Sequence, residues 1–285
     1  MGWRCRIETI VKQGKLLFAV AIAALGAENL ICAHVSQTVF AGNRPGVPVL
    51  PFVPTPFLAY LVGIVLLAVG VSVAANIRPG FAATFLGLFF FLYTLVHLVP
   101  IVVGRPRDLN ARTGVFEVLA LGASALTLAA CLKQRHASEQ RSIGGTLVTL
   151  EVKAINKLIA SGPYLFAISS VVFGITHFLI PRFIASLVPG WIPGGLFWAY
   201  LTGGAFIAAG ISIATGVMAR WGAFWLGVML LLWFLILHAP RVAMHPRLPA
   251  EWSSMFEVLG MGGGSWIVAS HSLRGRAQSA RKART

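Results

Sequence analysis

The sequence predicts an all-α integral membrane protein, with eight transmembrane helices arranged as two parallel four-helix repeats and both termini in the cytoplasm. Three observations predict it. Hydrophobic residues fill 57% of the 285 positions and charged ones only 11%, a balance too apolar for a soluble globular domain. The apolar residues fall in continuous runs long enough to cross a bilayer, which takes about 20 residues at a 1.5 Å rise. The chain also matches itself at a fixed offset, so the elements of one half are expected again in the other.

The runs are 16–38, 57–76, 81–103, 113–132, 163–181, 196–217, 221–239 and 253–272. The first follows a basic start and has the look of a signal peptide, but its counterpart at 165–176 lies mid-chain, so 16–38 reads as a retained span. Gly2 opens no myristoylation site, because Arg6 stands where that motif wants Ser or Thr. Short polar breaks at Asn76–Gly80 and Ala219–Arg220 join the second span to the third and the sixth to the seventh. They suit tight connections between helices that satisfy their own backbone groups in lipid. Continuous runs disfavour a β-barrel, whose strands alternate in ten-residue segments.

Tyr60 and Tyr200, Gly63 and Gly203, Gly70 and Gly210, Ser72 and Ser212, Gly87 and Gly227, Pro100 and Pro240, and Glu117 and Glu257 each stand 140 residues apart. Nearer the start the offset is 148, pairing Gly14 with Gly162 and Gly26 with Gly174. The organisation is then a first repeat at 1–132, a cytoplasmic linker at 133–162, a second repeat at 163–272 and a basic tail at 273–285. Four spans per repeat carry both halves into the membrane from the same side, about a pseudo-twofold along the membrane normal. In the linker, Leu147, Leu150, Ile155, Leu158 and Ile159 recur at helical spacing between Lys153 and Lys157, which predicts an interfacial helix before the fifth span.

Orientation follows from the 23 Lys and Arg residues. A cytoplasmic N-terminus puts 16 of them inside and 7 outside, as the positive-inside rule requires. The net charge of +15 reads as topology plus attraction to anionic lipid. The tail RGRAQSARKART has no interleaved aromatic residues, so nucleic acid is not an expected partner. Cys5, Cys32 and Cys131 form no close pair and support neither a disulfide framework nor a thiol redox motif.

An ionisable group inside a membrane is costly and should face other helices or a wet cavity. Those in the spans fall into two expected clusters. The second half would assemble His177, His238 and Glu257, with Arg241 close by; the first would assemble Glu28, Asn29, His97 and Glu117, with Arg105 or Arg107 at the mouth. These residues are candidates for ligand binding or proton relay. The competing reading has the glutamates fasten loops to helix N-termini and the histidines bond helix to helix. No metal site is expected, since HxxxH, HExxH and ExxH spacings do not occur. A bis-histidine haem between His177 and His238 is conceivable, but nothing in the spacing requires it. Glycines at 203, 204, 210 and in MGGG (261–264) should let helices approach closely.

FGITHFLIP closing the first span of the unit, a glycine-rich second span, the basic hinge GVMARWGAFWLG, and a third span ending in His before Pro resemble the DoxX family. The chain would be two such units fused. The resemblance implies an integral membrane protein, and for some relatives a link to quinone-dependent sulfur oxidation or to membrane-associated oxidoreductase complexes. The expected function is a DoxX-like membrane subunit or quinone-facing anchor of a redox assembly in the bacterial inner membrane, without catalytic activity of its own. Quinone is the cofactor it implies; lipids and a redox complex are the partners. The alternative is a membrane protein that binds or transports a lipid or small molecule, or scaffolds partners.

Overall fold

The computed structural model describes residues 2–32, 55–95, 99–104, 109–139 and 150–282. Every regular element among them is helical: α1 (Gly2–Cys32), α2 (Thr55–Ala74), α3 (Pro79–Tyr93), α4 (Val99–Gly104), α5 (Leu109–Glu139), α6 (Leu150–Leu179), α7 (Pro181–Leu187), α8 (Gly195–Thr215), α9 (Ala219–Trp233), α10 (Ala239–Met244) and α11 (Pro249–Lys282). Among the described residues six segments are long and apolar enough to cross a membrane: Lys12–Cys32, Pro56–Ala74, Arg112–Lys133, Lys153–Leu179, Gly195–Thr215 and Ala219–Met244. The apolar α3 is shorter at 15 residues. Several long apolar helices make this a membrane protein. The 150–162 stretch, expected as an interfacial helix, continues without a break through Pro163 into the fifth expected span.

Local chemistry explains the boundaries. Arg78 adopts a left-handed φ of 43° ahead of Pro79, whose fixed φ suits the first turn of α3. Met218 takes the same left-handed conformation before α9. Pro240 cannot continue an α-helical ladder, because it has no N–H and its ring crowds the carbonyl four residues back. The chain answers with a π turn at Phe234–His238, where the N–H of Ala239 donates to Phe234 O, five residues earlier.

Following the contacts, the long helices form a ring in chain order, α1, α2, α3, α5, α6, α8, α9 and α11, with α11 closing on α1. A contact between α5 and α11 pinches that ring into two lobes. Both helices are therefore covered on all sides: residues 120–132 of α5 and 257–265 of α11 are buried throughout. Small residues make the approaches possible. A Cβ on Gly26 would lie 2.4 Å from Leu67 N and 2.7 Å from Gly63 O; one on Gly174 would lie 2.6 Å from Gly203 O. Gly14 and Gly263 do the same for α1 on α11, and Gly162 for α6 on α5. Gly204 meets nothing within 4 Å, so that glycine turns away from the helix contacts. Hydrogen bonds from Ser265 to Ala223 O (2.7 Å) and from the Trp266 indole to Phe224 O (3.1 Å) tie α11 to α9.

Candidate functional site

The second lobe encloses a cavity of about 490 Å³, within the size range of small-molecule sites. Its α11 wall runs from Ala250 to Met261, about 16 Å at helical rise. Its polar lining comes from both halves of the chain. Helix α5 supplies Thr113 and Glu117, α6 supplies Thr176 and His177, the π turn supplies His238, α10 supplies Arg241, and α11 supplies Glu251, Ser254 and Glu257. The structure thus brings together His177, His238, Glu257 and Arg241, as the sequence suggests, and adds Glu117 to them.

His177 is buried, and its Nδ1 lies 2.7 Å from Phe173 O. A carbonyl can only accept, so Nδ1 carries the proton and Nε2 of the neutral ring is left as an acceptor. Nε2 has no hydrogen-bond partner among the described residues. The ring stacks on Trp233 (centroids 5.7 Å apart, 23° between planes) and leans on Phe206 at 5.4 Å, which holds it in one orientation. A second cavity of about 90 Å³ is lined by His177, His238 and Trp233, with Trp198 and Thr202 behind them. Both histidines line both cavities, as do Trp233 and Leu237. His238 lies in the π turn, whose widened backbone rotates its residues relative to a regular helix.

At the rim, Arg241 donates from Nε and Nη2 to the two carboxylate oxygens of Glu251, at 2.8 and 2.7 Å. Such a fork-to-fork pair fixes both charge and geometry, and it joins α10 to α11 across the loop between them. The hydrogen bonds from Arg241 hold the Glu251 carboxyl below the ordinary glutamate value of 4.5. A depressed carboxylate contributes stability that is in place above its unfolded value and lost as pH falls through the folded one. The melting temperature of the solubilised protein is accordingly expected to lose this contribution only below pH 4.5, and Arg241→Gln should remove that acid limb. An unchanged acid limb in the variant would refute this role.

Glu117 is half-buried and makes no hydrogen bond or ion pair with a described residue. Glu257 is only 2% exposed. Both line the cavity, whereas Glu28, which the sequence grouped with Glu117, does not. Glu28 and Asn29 lie buried in the first lobe, where Ser253 of α11 donates to Oε1 of Glu28 while Oε2 has no partner among the described residues. Removing one member of a buried pair strands the other, whereas removing both is close to neutral. Ser253→Ala should cost about 1 to 3 kcal/mol, and adding Glu28→Met should recover most of it in thermal melts. A single substitution without effect would sink this account. His97, Arg105 and Arg107 lie outside the described residues.

Sequence reasoning missed Glu251, Thr113, Thr176, Ser254 and the aromatic wall. Only Glu251 carried a usable signal, as an acidic residue beside the basic loop 241–247. No metal-binding group of three or more His, Cys, Asp or Glu side chains occurs among the described residues. No family model matches the chain, and no curated protein or solved structure matches it.

Proposed function

We propose that the protein is a fused pair of DoxX-like units in the bacterial inner membrane that binds a quinone-type ring in the second-lobe cavity and serves as the membrane subunit of a redox assembly. It crosses the membrane eight times as two parallel repeats with both termini cytoplasmic. The single observation that carries the binding role is the cavity itself. It is of ligand size, walled by Phe206 and Trp233, and lined at membrane depth by Glu117, Glu257, His177 and His238. Such a set is expensive in lipid unless it serves a ligand or a proton.

The packing supports the duplicated topology, because the offsets exchange one contact for another. Gly26 on Gly63 becomes Gly174 on Gly203, and Gly87 on Leu126 becomes Gly227 on Trp266. The Ser72 hydroxyl donates to Ile77 O and that of Ser212 to Val217 O. Gly264 meets Ser124, its own partner by the 140-residue offset, as residues beside a pseudo-twofold would.

Native mass spectrometry with lipid and quinone extraction, on wild type and His177→Ala, tests the role. A quinone retained by wild type and lost in the variant is expected. A spectrum that is empty or lipid-only, and unchanged by the substitution, would move the assignment to a scaffold.

A further inference from the structure

A quinone ring and its reduced form differ in a way the cavity can read. The quinone oxygens only accept hydrogen bonds, whereas the two hydroxyls of a quinol also donate. Several polar groups of the lining offer lone pairs. The Glu117 carboxylate lines the cavity without a hydrogen bond or ion pair to a described residue. Nε2 of the 94%-buried His177 is an acceptor by the tautomer argument and has no partner among the described residues. The Thr176 hydroxyl spends its proton on Val172 O at 3.0 Å, which leaves its lone pairs. The cation that lines the cavity, Arg241, is committed to Glu251 through Nε and Nη2. Ser254, the Trp233 indole and the N–H of the neutral His238 ring are uncharged donors in the wall, weaker partners than a charged one would be.

We propose that the cavity selects the reduced, hydroxyl-bearing form of a quinone-type ring, a quinol, whose hydroxyls donate to the Glu117 carboxylate and to Nε2 of His177. The flat faces of Trp233 and Phe206 suit a planar ring. The inference rests on the cavity being a quinone-type site, and it concerns binding alone, with no electron or atom transferred. A quinone in the same place would set its own lone pairs against those of the acceptors and leave them unpaired, which is the situation that gives hydrogen-bonding sites their discrimination.

The test is equilibrium dialysis of the full-length protein in nanodiscs under argon, with empty nanodiscs subtracted. Three matched probes are used: trimethylhydroquinone, trimethylbenzoquinone and the dimethyl ether of the hydroquinone, which keeps the ring and removes both donors. Wild type is expected to bind the hydroquinone about tenfold or more tighter than either of the others. Glu117→Gln and His177→Phe should each shrink that preference to about threefold or less, and His177→Gln, which keeps an acceptor, should restore part of it. Equal binding of hydroquinone and quinone by wild type would overturn the donor assignment and leave the quinone-type site standing. Binding of none of the three would remove the site and the inference together. A preference that survives in both Glu117→Gln and His177→Phe would overturn the roles of these residues. The wild-type comparison stands even where a variant fails to fold.

Discussion

Gly26→Ala is expected to lower the stability of the solubilised protein by about 2 to 3 kcal/mol, a fall in melting temperature of roughly 3 to 5 °C for a chain of this size. The added methyl would meet Leu67 N at 2.4 Å and Gly63 O at 2.7 Å. Both are backbone atoms, so no rotamer change makes room and the helices must part. Gly174→Ala should behave alike, since its methyl would meet Gly203 O and the Ile207 side chain. Gly204→Ala and Gly80→Ala are the controls, because nothing lies within 4 Å of either position. They should stay within about 0.5 kcal/mol of wild type. If Gly26→Ala melted like Gly204→Ala, the close packing of α1 on α2 would be refuted.

The second large effect separates the two glutamates. Glu257 is held within the bundle at 2% exposure, so Glu257→Gln should cost about 1 to 3 kcal/mol and be read mainly as a lower melting temperature. Glu117 faces the cavity and makes no hydrogen bond or ion pair with a described residue. Glu117→Gln should therefore melt within about 0.5 kcal/mol of wild type while ring binding falls about tenfold. Equal, purely destabilising effects of the two substitutions would assign both glutamates to fastening alone.

Much of the architecture was legible in residue spacing. Length and apolarity predict the long helices, and the glycines at 203, 210 and 263 mark close approaches that the structure contains. Gly204 shows the limit of that logic: a glycine next to a packing glycine is rotated about 100° around the helix and can face outward. The polar sites were less legible because the clusters were assembled within each half. Contacts run otherwise. The face of α11 that carries Ser253 meets Glu28 in the first lobe, while Glu117 on α5 joins a cavity whose other walls come from the second half. Spacing along a chain reports which side chains share a helix face. It does not report which half of the molecule supplies the opposing face. The Arg241–Glu251 pair was missed for a related reason: Glu251 lies just before the last apolar run, where a loop acid reads as solvated.

The ring closes through α1 against α11, and this sets an order on how the protein can be made. Helix α1 can settle on α2 early, but its other face has no protein neighbour until α11 has been synthesised more than 200 residues later. At about 5 to 20 residues per second, that face spends roughly 10 to 45 s against lipid or an insertion factor. A chain cut short before α11 leaves Glu28 without Ser253 and the second lobe without the wall that bears Glu257. Such a fragment would expose a lone carboxylate within the bilayer, a mark by which membrane proteases could tell it from the finished protein.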